Sequence, residues 1–220
     1  MKSQQSGFTL VEIAIVLVII GLLLGGVLKG QELINSAKVK NLANDFRVVP
    51  TYIYAYQDKF KSLPGDDPQV AAHVAGPPPA TLATTPAGLQ GNGVINGNWN
   101  SSTATDESAL FWQHVRMANL AAGPTLTTDA EYYPKNAVGG RLGLTGATSA
   151  QTVGGLQGTY LVCSAGILGK FAKQLDVQMD DGNTAAGSMR TVPENTAVGG
   201  AAVATTAVVE SDNYQVCMAF

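Results

Sequence analysis

Charge is what this chain has least of. Asp, Glu, Lys and Arg together make up 13% of 220 residues, and the formal net charge is −3. That share is about half the usual one. No basic cluster interrupts the sequence, so the footprint of a nucleic-acid-binding surface is missing and no nucleic-acid partner is expected. Histidine is nearly absent too, with only His73 and His114, which leaves little material for catalytic triads or His-rich metal centres. No Ser sits in a G-x-S-x-G setting and no GxxxxGK[ST] loop occurs; Gly91-Asn92-Gly93 lacks the strand before it and the helix after it that a phosphate cradle needs. An enzyme is therefore not expected, and both histidines read as ordinary structural residues. The chain has only two cysteines, Cys163 and Cys217. An even number in an exported domain fits one disulfide, while two unrelated buried thiols are the alternative.

The scarcity of charge is uneven. Between Phe8 and Leu28 the one ionisable side chain is Glu12, and Ile13 to Leu28 has none. An apolar run of 18 or more residues is long enough to span a bilayer as a helix. Lys2 supplies a positive start, as in a secretory signal. The apolar stretch is too long for one, however, and Lys29-Gly30-Gln31-Glu32-Leu33 follows it rather than an A-x-A-like cleavage site. Glu12 also argues against a plain uncleaved anchor, because a carboxylate within a span is costly and normally has a partner. A cut between Gly7 and Phe8 would create an α-amine four residues from Glu12, about 6 Å along a helix axis.

The six residues Gly7-Phe8-Thr9-Leu10-Val11-Glu12, with the apolar run behind them, resemble the signal of type IV prepilins and type II secretion pseudopilins. The resemblance implies that a prepilin peptidase cuts after Gly7 and methylates the new N-terminal Phe8. It also implies that Glu12 neutralises the amine of a neighbouring subunit during assembly. Type IVa major pilins often have a helix-breaking Pro near the end of the span; here Lys29-Gly30 stands there, with Gly21, Gly25 and Gly26 as points of local weakness.

After the span, Leu42, Phe46, Val49, Ile53, Tyr56 and Phe60 recur at spacings of three and four, which is a helical stripe. The pattern predicts one helix from Phe8 to about Lys61, bending at Pro50 and stopped by Pro64-Gly65-Asp66-Asp67-Pro68. Its first half is apolar all round and its second half amphipathic. The expected fold is α+β, with this helix packed on a C-terminal globular head of antiparallel sheet and short extra helices. The expected divisions are a leader at 1–7, a transmembrane and assembly helix at 8–28, its amphipathic continuation at 29–62 and the head at 63–220. Within the head, helices are expected at Asp106–Leu120 and Ile167–Met179, and strands at Thr159–Cys163, Ala202–Glu210 and Tyr214–Phe220.

Weaker likenesses to Gram-negative prepilin-like proteins lie in Tyr56–Phe60 leading to Leu63–Asp67, in Trp112-Gln113-His114, in Tyr133-Pro134-Lys135-Asn136 and in Asp180-Asp181-Gly182. No cofactor is expected. Calcium is the one candidate ligand, with Asp66, Asp67, Asp180 and Asp181 as hard oxygen donors in loops, although none lies in a D-x-[DN]-x-[DN]-G pattern.

The expected role is a structural subunit of a type IV pilus or related filament serving adhesion, motility or surface attachment. Its partners are other pilin subunits, prepilin peptidase and the inner membrane before assembly, with the head in the periplasm. The alternatives are a type II secretion pseudopilin or minor pilin and, from another class, a membrane-tethered binding module.

Overall fold

A computed structural model describes residues 9–76, 78–148 and 153–220. The fold is α+β. Its elements run α1 (Leu10–Phe60), α2 (Val70–His73), α3 (Glu107–Met117), β1 (Leu142–Gly146), β2 (Tyr160–Leu168), α4 (Gly169–Met179), β3 (Met189–Pro193) and β4 (Asn213–Ala219). The chain divides into two compact units, Met1–Lys38 and Val39–Phe220.

In the first unit α1 runs through Gly21, Gly25, Gly26 and Gly30 without interruption. Its apolar side chains lie open, from Ile20 at 46% exposed to Leu10 at 86%. In the second unit the same helix buries one stripe: Val39, Leu42, Ala43, Phe46, Val49, Pro50, Ile53 and Tyr56. The predicted stripe is therefore right, except that Phe60 is half-buried. The helix also continues through Pro50. It ends where Lys61 takes a left-handed φ of 57°.

The four strands form one antiparallel sheet in the order β1-β2-β4-β3. Strand periodicity sorts its side chains onto two faces. One face, with Val162, Ile167, Leu142, Leu144 and Val216, shares a core with the α1 stripe and with Phe171 and Leu175 of α4. The other carries Leu161, Cys163, Val192, Cys217 and Ala219 in a smaller cluster with Trp99.

Several sequence expectations need correction. Ala202–Glu210 is not a strand but an irregular segment with a turn. It is tied down by Val203 N–H donating to Thr191 O and by Thr184 Oγ1 donating to Val203 O. Ile167 and Leu168 belong to β2, so the helix expected from Ile167 begins at Gly169, and α3 is shorter than expected at both ends. Strands β1 and β3 were not anticipated. In β1 two of five residues are glycine, which weakens a strand signal. Here Gly143 is required, because a Cβ at that position would lie 2.1 Å from Trp99 O.

The disulfide does form between Cys163 and Cys217. The two are direct cross-strand partners on β2 and β4, with Cα atoms 4.1 Å apart. The bridge closes 54 residues of chain, which the chain-entropy account values at roughly 4 kcal/mol. Replacing both cysteines with Ala should lower the unfolding free energy by about 2–4 kcal/mol in denaturant titration, with the secondary structure of the folded state unchanged.

Candidate assembly site at the N-terminal helix

The start of α1 is built by two side chains. Thr9 N–H donates to Glu12 Oε2 at 2.8 Å, and Thr9 Oγ1 donates to the same oxygen at 2.7 Å. Glu12 N–H donates back to Thr9 Oγ1 at 3.3 Å. This is a reciprocal capping box, in which the N-cap hydroxyl and the third-position carboxylate satisfy donors that the first turn otherwise leaves without acceptors. A negative charge here also lies at the positive end of the helix dipole. Sequence reasoning picked Glu12 for this site but passed over Thr9, although Thr-x-x-Glu before an apolar run is a legible capping signal. Among the described residues both bonds to the Glu12 carboxylate fall on Oε2. Gly7 and Phe8, the expected cleavage and methylation positions, lie outside the described residues.

The helix Leu10–Phe60 contains an 18-residue window long and apolar enough to cross a bilayer. Residues 2–28 match the family model described as the prokaryotic N-terminal methylation motif. The segment is a type IV prepilin signal. This prepilin signal covers 27 of 220 residues, and the head lies outside the match. No curated protein and no solved structure matches the chain.

The four calcium candidates occupy the loops predicted for them, and each already accepts hydrogen bonds from the chain. Asp66 takes the backbone N–H groups of Gly91, Asn92 and Gly93 at 2.6, 3.2 and 2.8 Å. Asp67, fully buried, takes Tyr56 Oη from α1 at 2.8 Å, Gln69 N–H at 2.9 Å and His73 Nδ1 at 2.7 Å. Asp180 accepts from Met189 N–H at the start of β3 and from Ser188 Oγ, and Asp181 accepts from Asn183 N–H. Among the described residues no three His, Cys, Asp or Glu side chains gather as a metal-ligand group.

The residue before this pair extends the junction. Gly65 donates its N–H to His114 Nδ1 at 2.9 Å, and the other ring nitrogen lies 2.8 Å from Thr81 O. The ring is thus held neutral with its proton on Nε2, and burial lowers its pKa to about 4. Gly65 has φ +93°, and a Cβ there would sit 2.3 Å from Glu107 O. One turn thereby links α1, the 91–93 loop and α3.

Glu107 is fully buried beside this turn. Burial pushes its carboxyl up to about 7, against two hydrogen bonds from Asn96 that pull it down. Its Oε1 has no hydrogen-bond partner among the described residues. Because its folded pKa stands above the unfolded 4.5, its contribution to stability is fully present below about pH 4.5 and is lost as pH rises through 7. Glu107→Gln keeps an oxygen for Asn96 and carries no charge to bury. It should match the wild type near pH 4.5 and exceed it by up to about 3 kcal/mol at pH 8, read from denaturant midpoints across pH.

Proposed function

We propose that the protein is a filament subunit of the type IV pilin class, made as an inner-membrane precursor with its head in the periplasm. In this reading prepilin peptidase cuts between Gly7 and Phe8 and methylates the new Phe8 amine. The subunit then leaves the bilayer laterally, exchanging lipid around residues 8–28 for the helices of neighbouring subunits. The observation that carries the reading is a prepilin signal running into an exposed apolar stretch of α1, residues 10–28, whose one ionisable side chain, Glu12, sits within the first turn. Helices that are apolar on every side have stable surroundings only in lipid or among other such helices. The cation that Glu12 meets is the terminal amine of an adjoining subunit.

Glu12→Ala should still be processed and inserted but should assemble poorly, measured as sheared filament yield against membrane-bound subunit. Normal filament yield would remove the charge pairing from the account. The capping box makes a second variant useful: Glu12→Gln keeps an acceptor for Thr9 N–H, so an assembly defect in this variant isolates the charge from the helix cap.

Mass spectrometry of the mature N-terminus should find N-methyl-Phe8. An intact Met1 would instead mark a membrane-tethered binding module that never polymerises. Deleting the protein and scoring surface piliation beside secretion of exported enzymes separates a pilus subunit from a pseudopilin of a periplasmic fibre.

A further inference from the structure

Asp45 and Arg47 stand two residues apart on α1, so they leave the helix on opposite flanks, about 200° apart around its axis. Asp45 lines a groove of about 220 Å³ between α1 and the α3 side of the head, with Val48 and Tyr52 of α1, Trp112 of α3 and Pro134. Arg47 is exposed on the other flank. Tyr54, two helical turns further along that flank, is 57% exposed.

Asp45 is half-buried, and burial pushes its carboxyl up to about 6. Its Oδ2 is sealed without a hydrogen-bond partner among the described residues, whereas Oδ1 is not sealed and the residue lines the open groove. Among the described residues neither Asp45 nor Arg47 forms an ion pair. Two other cations share the lining, and both are engaged elsewhere. Lys135 pairs with Glu131 at 3.0 Å, and Arg116, 6% exposed, gives its donors to Ala122 O, Pro124 O and Tyr132 O. A carboxylate that has lost water without gaining a cation is costly. An exposed Arg beside an exposed Tyr is the composition of a contact centre. The two charges cannot meet within one chain, because residues i and i+2 do not face each other on a helix. Between copies they can. Each copy then offers one flank and receives on the other, a head-to-tail contact that propagates a filament instead of closing a dimer.

We propose that Arg47 of one subunit enters the groove of the next copy of this chain and donates to Asp45 there, with Tyr54 packing beside it. The inference rests on the filament reading above and names a contact that repeats along the fibre.

The test reads sheared filament yield from full-length subunits, beside the amount of membrane-bound subunit and its unfolding midpoint. Arg47→Asp sets two carboxylates against each other and should cut the yield roughly tenfold with the midpoint unchanged. Asp45→Arg should lower it likewise. Combining Asp45→Arg with Arg47→Asp should restore filaments, because it rebuilds the pair with its signs exchanged. Should Asp45→Arg not fold, cross-linking decides the matter. Filaments of subunits carrying both Asp45→Cys and Arg47→Cys should yield a ladder of covalent multimers with a short bis-maleimide, and either change alone should yield none; the native cysteines are already paired and do not react. Normal yield from Arg47→Asp, no recovery in a folded double exchange, or no ladder would each overturn the contact. Wild-type filaments in the same assay keep that failure apart from failure of the filament reading; a wild type that forms none would sink both.

Discussion

A single helix in this protein has to satisfy two different surroundings, and most of the rest follows from that constraint. Up to Lys38 its large apolar side chains are exposed on every side. From Val39 onward the helix buries one apolar stripe and turns a more polar face outward. Water is a poor medium for the first part and a good one for the outer face of the second. A helix built this way is stable where lipid or like helices surround one end and a folded domain covers the stripe at the other. The absence of charge from residues 13–28 and the sheet face lined with Val162, Leu144 and Val216 are two answers to the same demand.

Apolar packing of the stripe holds the head to that helix, and a buried polar contact adds to it. Asp67 brings a carboxylate against Tyr56 of α1, and Asp66 gathers three successive backbone amides from a loop 25 residues further on. Carboxylates in glycine-rich loops suggest a cation to anyone reading the sequence alone. Here the backbone supplies the positive partners, since each N–H carries a partial positive charge that a buried anion can use. Removing either Asp would leave orphaned donors in the interior.

How much was legible follows from range. The apolar run, its lone Glu12 and the stripe from Leu42 to Tyr56 are local periodicities, and the sequence shows them plainly. The cysteine pair was readable from number and compartment alone. Less visible was anything set by distant contact. Residues Ala202–Glu210 have the apolar, β-branched look of a strand but are held as an irregular segment with a turn by Thr184 and Thr191. Strand β1 looks like a loop by composition, because its glycine answers to Trp99, more than 40 residues earlier. The phrases Trp112-Gln113-His114 and Tyr133–Asn136 stood out before their roles were visible. They hold junctions: Gln113 accepts from Thr81 N–H and donates to Thr125 O. Asn136 donates to Ser164 Oγ and Ala165 O at the β2 irregularity.

Strand order sets a timetable. Strand β4 follows every other element in the chain yet lies between β2 and β3. Until residues 213–219 are in place, β3 has no neighbour in the sheet and β2 is paired along one edge only. Cys163 likewise waits for Cys217, its partner 54 residues later. The sheet of the head therefore closes last, after every residue of α1 is already in the chain.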